Sequence, residues 1–378
     1  MGLYYGWYAC LTTEKYTVMK NKRIVFVINT LFEGGAAKMV KHVASIVNRE
    51  CSNVSIISIF DTEADPSVSG SIRQVPLGLK VKGLLIWRVK TVLSIRKALR
   101  SLAPDVVCSF VSDVCFYSRV AALGFNIKVA SAERGDPFTN GGIWGRLVRW
   151  TYSKSDYCFF QLERARDFYG ERIVAKSFVI HNAFPRAEIQ EPFTGERRKT
   201  VVGVGRLYEY QKQFGLLIRA FKRVYEKHPD YRLIIYGEGQ DHKQLQDLVD
   251  SLGLKNVASL PGAIKNPINV IREDGVFVLS SNFEGIPNSL IEALASGIPT
   301  VSTDCSPGGA AFLTHNGENG LLIPMGDEKA MADAICKVIE SPELAKELSQ
   351  KGIQVIDELD EDRIAKLWIN AFETILKS

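Results

Sequence analysis

The segment that decides the fold is Val276-Phe-Val-Leu279-Ser-Ser-Asn-Phe-Glu284-Gly285-Ile-Pro-Asn288-Ser289-Leu-Ile-Glu-Ala-Leu-Ala-Ser-Gly297. Its first four residues are apolar and largely β-branched or aromatic, which predicts a buried parallel strand. Ser280-Ser281-Asn282 is typical of the turn that ends such a strand. Asn288 and Ser289 predict the capped start of a helix, and Gly297 predicts its end. The segment therefore predicts a strand, a glycine-containing loop and a helix.

The start of this helix suits a phosphate group, because its unpaired N–H groups carry a partial positive charge. Two carboxylates accompany it: Glu284 lies in the loop and Glu292 about one turn into the helix. Two carboxylates cannot both bind a diphosphate, because an ionised carboxylate only accepts hydrogen bonds. They could accept hydrogen bonds from hydroxyl groups on either side of the diphosphate. A sugar on one side and a ribose on the other would fit a nucleotide sugar. The alternative is an ordinary strand–turn–helix with two exposed glutamates.

The motif Glu-Gly-x-Pro-Asn-x-x-x-Glu-Ala at 284–293 closely resembles the retaining glycosyltransferases of the GT-B fold, in the large family four. Val204-Gly205-Arg206-Leu207, followed by Lys212, resembles a second motif of that family. The resemblance covers about residues 20–375. It implies an α/β fold with two Rossmann-like doubly wound domains facing a cleft, and a C-terminal helix that crosses back to the N-terminal domain.

The resemblance also implies roles for individual residues. Arg206 and Lys212 converge on the diphosphate, where cations stabilise the charge of the departing nucleoside diphosphate. Glu284 is the third catalytic candidate and contacts hydroxyls of the donor sugar, while Glu292 contacts the ribose. The remaining donor-binding candidates contribute close-approaching backbone or helix N–H groups; they are Gly35, Gly205, Gly285, Ile286, Asn288, Ser289 and Leu290.

Gly34-Gly35 follows a predicted buried strand at 24–28 and allows a ligand to approach the backbone closely. The related enzymes carry a Gly-Gly here, near donor and acceptor, so Gly34 is an acceptor-side candidate. A plain turn is the alternative. A dinucleotide site is rejected, because Gly-x-Gly-x-x-Gly is absent here and the pairs Gly203-x-Gly205 and Gly237-x-Gly239 lack the third glycine.

Three further acceptor-side candidates follow the predicted strands at 106–110 and 129–131. They are Asp113, Glu133 and Arg134. Ligands of open α/β sheets bind outside the carboxyl ends of the strands, where these side chains are expected. Salt bridges that only stabilise the fold are the alternative for all three.

Length and composition limit the remaining possibilities. With 378 residues, 46% of them hydrophobic and 24% charged, the chain is expected to form two globular domains. No apolar run reaches the ~18 residues that span a bilayer, and no secretory signal is recognisable. The seven cysteines and five histidines show no ligand spacing, so we expect reduced thiols, no metal ion and no cofactor.

The predicted organisation has five parts. They are an appendage at 1–18, an acceptor-binding domain at 19–185, a linker at 186–199, a nucleotide-sugar-binding domain at 200–360 and a crossover helix at 361–378.

Positive charge is concentrated in the N-terminal half. Residues 19–190 hold 25 basic and 14 acidic residues, a net charge of +11, whereas residues 191–378 have a net charge of −6. No acidic residue occurs between Asp65 and Asp105, where eight basic residues alternate with aliphatics and Trp87. This stretch fits a segment lying on an anionic membrane surface. The solvated face of an ordinary helix is the alternative, and nucleic acid is not expected because no binding motif is present.

The family resemblance, taken with the charge distribution, implies a retaining glycosyltransferase. It would move a hexose or N-acetylhexosamine from a nucleotide sugar, expected to be a UDP-sugar, to a lipid-linked saccharide in the biosynthesis of surface polysaccharide such as lipopolysaccharide. We expect a cytoplasmic monomer or weak homo-oligomer, peripheral on the inner face of the plasma membrane. A soluble acceptor, a nucleotide-sugar epimerase and a non-catalytic partner subunit are the alternatives.

Overall fold

The structure is a computed structural model that describes residues 18–32, 34–80, 84–185, 193 and 195–378, with the backbone alone at 84 and 85. Residues 1–17 of the predicted appendage, and 186–192 and 194 of the predicted linker, lie outside the described residues. Contacts divide the chain into two compact units. Unit 1 comprises Met1–Ala132, Lys154–Tyr157 and Ala365–Ser378, and unit 2 comprises Glu133–Ser153 and Cys158–Ile364.

Unit 1 is built on parallel strands joined by helices. The strands are β1 (Arg23–Ile28), β2 (Asn53–Ser58), β3 (Arg73–Pro76), β4 (Val106–Phe110) and β5 (Lys128–Ala132). They pair in the order β3-β2-β1-β4-β5. The helices are α1 (Gly35–Glu50), α2 (Leu84–Leu102) and α3 (Ser112–Ala121). The unbroken apolar runs of β1 and β4 are buried, as is typical of strands covered on both faces.

Unit 2 contains a second parallel sheet of six strands and, outside that sheet, a pair of parallel strands. After α4 (Gly142–Lys154), β6 (Tyr157–Phe160) pairs with β7 (Ser177–Val179), with α5 (Glu163–Asp167) and α6 (Glu171–Val174) between them in the sequence. Six further strands are β8 (Arg198–Val204), β9 (Arg232–Tyr236), β10 (Ala258–Gly262), β11 (Asp274–Leu279), β12 (Thr300–Thr303) and β13 (Leu321–Ile323). Their order is β10-β9-β8-β11-β12-β13.

The remaining helices of unit 2 follow these strands. They are α7 (Glu209–Lys212), α8 (Phe214–Lys227), α9 (His242–Ser251), α10 (Pro267–Ile271), α11 (Asn288–Ala295), α12 (Gly309–Leu313), α13 (Glu328–Glu340), α14 (Pro342–Gly352) and α15 (Val355–Glu358). Alternate residues of β11 enter two different apolar clusters, one with α8 and α13 and the other with α11. The sheet is therefore covered on both faces.

The last helix, α16 (Glu361–Lys377), contributes most of its length to unit 1. The ring centroid of Phe372 lies 5.7 Å from that of Phe26 on β1, and the ring centroid of Trp368 lies 6.2 Å from that of Phe110 on β4. The apolar stripe of this helix thus packs on the central strands of the N-terminal sheet. The prediction of an α/β fold with two Rossmann-like parallel sheets is confirmed. None of the described helices combines the length and hydropathy needed to cross a bilayer.

One local prediction is wrong. Helix α11 begins at Asn288, its N-cap residue is Pro287, and no side chain caps it. The Asn288 side chain instead accepts a hydrogen bond from Asn182 Nδ2 at 2.8 Å. This more distant partner replaces the local capping bond that the Asn-Ser pair suggested.

Candidate active site

The predicted catalytic residues lie in the two segments that follow neighbouring strands at their carboxyl ends. Arg206 and Lys212 follow β8, and Glu284 follows β11, which pairs with β8 in parallel. Asn282 N donates to Gln211 O of α7 at 2.8 Å, which joins the two segments. The carboxyl edge of a parallel sheet is where open α/β folds bind ligands.

Lys212 and Glu284 form an ion pair through Nζ and Oε1. Their side chains are 13% and 10% exposed, so water screens the pair poorly. Ser281 Oγ donates to the same Oε1 at 2.9 Å, and Ser280 Oγ donates to Lys212 O at 2.7 Å. Glu284 Oε2 accepts no hydrogen bond from any described residue. One carboxylate oxygen thus fixes the lysine, and the other is available to a ligand hydroxyl.

The absence of a side chain at Gly205 leaves room for the Lys212 side chain beside the backbone. A Cβ added at Gly205 would lie 3.1 Å from Lys212 Cε and 3.4 Å from Nζ. Gly205 N donates to Tyr236 O at 3.0 Å, and a Cβ on Gly237 would lie 1.8 Å from Gly205 O. Gly205 and Gly237 therefore permit the close approach of the two chain segments that follow β8 and β9, and the first of these segments leads to Lys212.

Arg206 differs from Lys212 in its surroundings. It is exposed, and its guanidinium has no ion-pair partner within the described part of the chain. The segment after β8 thus holds two predicted cations. Lys212, the last residue of α7, is anchored by a carboxylate, and Arg206, which precedes α7, is accessible to solvent. An accessible guanidinium can form paired hydrogen bonds with a phosphate.

Cys305 is a neighbour of the ion pair that sequence reasoning did not single out. Burial, with a contribution from the Glu284 carboxylate, raises the pKa of its thiol to about 12. The adjacent Ser306 O accepts a hydrogen bond from Glu284 N at 2.8 Å. The thiol is therefore protonated at neutral pH and does not serve as a nucleophile.

The loop at 285–288 is held by a buried amide network that sequence reasoning also missed. Gln161 Nε2 donates to Asn182 Oδ1 at 2.6 Å, and Gln161 Oε1 accepts from Ile286 N at 3.3 Å. Asn182 Nδ2 donates to Ile286 O at 3.3 Å as well as to Asn288 Oδ1. A Cβ on Gly285 would lie 2.2 Å from Gln161 Oε1. Gly285, Ile286 and Asn288 are thus brought together by two amides far away in the sequence.

The first turn of α11 follows this loop. The N–H groups of Leu290 and Ile291 both donate to Pro287 O at 3.1 Å. Those of Asn288 and Ser289 have no backbone acceptor among the described residues, so they are the N–H groups that a phosphate could bind. Glu292, one turn further, is buried at 9% exposure. A donor role for these residues stays a prediction.

Glu133 and Arg134, predicted on the acceptor side, belong to unit 2. The buried Glu133 carboxylate accepts from Tyr152 OH at 3.2 Å and Tyr169 OH at 3.1 Å through Oε2. Its Oε1 accepts from the N–H groups of Arg134 at 3.0 Å and Gly135 at 3.1 Å. These four bonds give Glu133 a structural role in fixing the turn, and contact with an acceptor stays a prediction for both residues.

The other candidates belong to unit 1. Gly34 has a φ of 90°, a conformation that glycine adopts without strain, and precedes α1, whose first residue is Gly35. Asp113 lies in the first turn of α3, after β4. All three follow strands at the carboxyl edge of the unit 1 sheet, and their contact with donor or acceptor stays a prediction.

One group of side chains among the described residues could share a cation. It consists of His228, Cys336 and Glu340, whose ligand atoms lie within 4.8 Å of one another. None of the three is a predicted site residue. That the donor site needs no metal stays a prediction.

Comparison with known proteins finds relatives by sequence and by fold. Residues 186–355 match the family model described as glycosyl transferases group 1. An uncharacterised glycosyltransferase of Methanocaldococcus jannaschii is 27% identical over 364 residues, covering 80% of this chain and 89% of that protein. A Campylobacter jejuni enzyme named for transferring N-acetyl-D-galactosamine to a diphospho-undecaprenol-linked saccharide is 26% identical, covering 92% of this chain and 97% of the enzyme.

Solved structures share the fold. Anabaena HepE in complex with UDP and glucose superposes with a TM-score of 0.76 at 15% identity, covering 94% of this chain and all of that one. The lipopolysaccharide outer core galactosyltransferase WaaB gives a TM-score of 0.72 at 20% identity, covering 93% of this chain and 99% of that one. The chain is a glycosyltransferase of the GT-B fold.

Proposed function

We propose that this glycosyltransferase moves a hexose or N-acetylhexosamine from a UDP-sugar to a lipid-linked saccharide during the biosynthesis of surface polysaccharide. The observation that carries the donor half is the buried Lys212–Glu284 pair beside the start of α11. It supplies a cation for a diphosphate and a carboxylate oxygen for a sugar hydroxyl. The UDP complex of HepE supports uridine as the nucleotide.

In the proposed reaction, Lys212 and Arg206 bind the diphosphate and stabilise the charge that develops as it leaves. The N–H groups of Asn288 and Ser289 add to the same anion site. Glu284 Oε2 accepts a hydrogen bond from the donor sugar. Glu292 accepts one from the ribose.

We further propose that transfer retains the anomeric configuration through departure on the front face. The bond between the anomeric carbon and the phosphate oxygen breaks, and the acceptor oxygen bonds to the same face of that carbon. The acceptor proton passes to the leaving phosphate, so no protein nucleophile is required. The raised pKa of the Cys305 thiol supports this scheme, because it keeps that neighbour of the ion pair protonated at neutral pH.

The acceptor half of the proposal rests on relatives. The Campylobacter enzyme is named for a polyprenyl-diphosphate-linked acceptor, and a Rhizobium meliloti relative is named for lipopolysaccharide core biosynthesis. A lipid-linked acceptor would place this protein on the inner face of the plasma membrane as a peripheral cytoplasmic enzyme. We propose a monomer or weak homo-oligomer that works without a metal ion.

The test is to incubate the purified protein with UDP-, GDP- and ADP-sugars and to follow release of the nucleoside diphosphate by mass spectrometry. We expect slow hydrolysis of a UDP-sugar, and loss of it in Lys212→Met but not in Lys243→Met, which removes an exposed lysine of α9. The anomer of the transferred sugar, read by NMR, tests retention. An inverted product would contradict the front-face scheme, and hydrolysis that survives Lys212→Met would contradict the donor site.

A further inference from the structure

Helix α2 has one exposed face that combines aliphatic and basic side chains. At 3.6 residues per turn, six exposed residues of α2 fall within an arc of about 100°. This set, named the α2 face, consists of Ile86, Val89, Lys90, Leu93, Lys97 and Arg100. Its aliphatic members are 76% (Ile86), 53% (Val89) and 60% (Leu93) exposed. The face thus presents three large apolar side chains to solvent, side by side.

The fold does not depend on this face. The opposite side of α2, with Trp87, Ile95 and Leu99, is buried in the core of unit 1. A fourth cation, Arg96, anchors the helix: its Nη1 donates to Ala121 O at 2.8 Å, and its guanidinium lies 4.3 Å from the ring centroid of Phe125. Substitutions on the α2 face should therefore leave the packing of unit 1 intact.

The cations of the α2 face lack an internal counter-charge. Lys90, Lys97 and Arg100 form no ion pair with the residues that the structure describes, and the sequence from 66 to 104 contains no acidic residue. A surface with unpaired charges of one sign favours an anionic partner. The exposed aliphatics add a second requirement, because neighbouring apolar side chains at a surface mark a contact site.

An anionic phospholipid bilayer satisfies both requirements at once. Aliphatic side chains of a surface-lying helix enter the boundary between headgroups and acyl chains, while lysine and arginine extend their charged ends to the headgroup phosphates. A nucleic acid would meet the cations and leave the aliphatics in water. A second copy of the chain would bring two sets of cations together across a two-fold axis. Charge complementarity therefore favours the bilayer over both.

We propose that the α2 face docks this protein on an anionic membrane surface. The inference deepens the proposed function, because it supplies the surface that would hold the enzyme beside a lipid-linked acceptor. Docking itself requires neither a donor sugar nor catalysis.

The experiment is flotation of the full chain with vesicles of phosphatidylglycerol and phosphatidylcholine in equal parts, and with vesicles of phosphatidylcholine alone. A triple variant, Lys90→Gln/Lys97→Gln/Arg100→Gln, removes the cations of the face. Its control loses the same charge from exposed lysines of unit 2: Lys243→Gln/Lys255→Gln/Lys346→Gln. Each basic residue near an anionic surface strengthens partitioning about fivefold, so we expect the α2 variant to bind roughly a hundredfold more weakly and the control to bind almost normally.

The aliphatic part has its own test. Ile86→Ser/Leu93→Ser should also release the protein from mixed vesicles, whereas Leu123→Ser/Val174→Ser, at exposed apolar residues elsewhere, should not. Equal flotation of both α2 variants and their controls would overturn the proposal. A change of oligomeric state in the α2 variants, measured by light scattering, would also overturn it by assigning the face to a second copy. UDP-sugar hydrolysis without lipid should be unchanged in every α2 variant, so a failure of docking and a failure of the donor site remain distinguishable.

Discussion

Replacing Lys212 with methionine removes one half of a buried ion pair. The Glu284 side chain is 10% exposed, so little water can solvate the carboxylate that is left behind. Ser281 Oγ, at 2.9 Å from Oε1, supplies the side-chain hydrogen bond that remains. Removing one partner of a buried ion pair costs about 3 kcal/mol. We expect the free energy of unfolding of Lys212→Met to fall by about this amount in urea denaturation.

Turnover should fall for a separate reason. In the proposed reaction Lys212 stabilises the departing diphosphate, and loss of such a donor costs about 3 kcal/mol of transition-state stabilisation, or roughly a hundredfold in rate. Initial rates at saturating UDP-sugar measure the loss. Lys243→Met, with an exposed lysine removed, should match the wild type in both rate and stability.

A double variant separates the structural effect from the catalytic one. Lys212→Met/Glu284→Gln removes both charges, so no unpaired charge stays buried and the free energy of unfolding should recover above that of Lys212→Met alone. Turnover should not recover. A Lys212→Met variant that kept both its stability and its rate, or a double variant that restored the rate, would contradict these two roles of Lys212.

Three further changes test the surroundings of the ion pair. Asn182→Leu leaves buried amide groups without partners, at about 1–3 kcal/mol, and should lower the Tm and raise KM for the donor; unchanged values of both would contradict the network. Gly285→Ala places a Cβ 2.2 Å from Gln161 Oε1 and should lower kcat, whereas Gly141→Ala, which has open space, should not; equal rates would contradict the argument. Cys305→Ala should keep its rate, because the thiol is protonated. The folded-state pKa of Cys305 is raised from 9.0 to about 12, so its contribution to stability is fully present below pH 9 and is lost as pH rises towards 12. At pH 10 the wild type should have lost about 1 kcal/mol more than Cys305→Ala, relative to pH 8, and parallel pH profiles of unfolding would contradict this.

The parts of the site that the sequence predicts are those whose signal is local. The strand, loop and helix at 276–297 are encoded by an apolar run, turn residues and a terminal glycine within one short segment. The structure has them as β11 and α11. The signal for α2 is also local, because its alternating cations and aliphatics are visible in the sequence. Which of these side chains are exposed depends on how the helix packs in unit 1.

The parts that the sequence did not predict depend on distant residues. Gln161 and Asn182 hold the loop at 285–288 across more than a hundred positions of the chain, and an isolated glutamine or asparagine carries no sign of such a contact. The same contact makes the capping prediction wrong, since it draws the side chain of Asn288 away from the helix end. Glu133 lies after the predicted strand, as expected. Its hydrogen bonds from Tyr152 and Tyr169 depend on side-chain packing, which the spacing of residues in the sequence does not reveal.

The most direct test of the central claim, that unit 2 grips a diphosphate through Lys212 and its neighbours, is calorimetric titration of UDP into the wild type and Lys212→Met. A saturable heat of binding in the wild type, with affinity at least about tenfold weaker in the variant, is the predicted result, because a charge-assisted hydrogen bond is lost. Equal affinities, or no heat with UDP or any common activated sugar, would contradict the account.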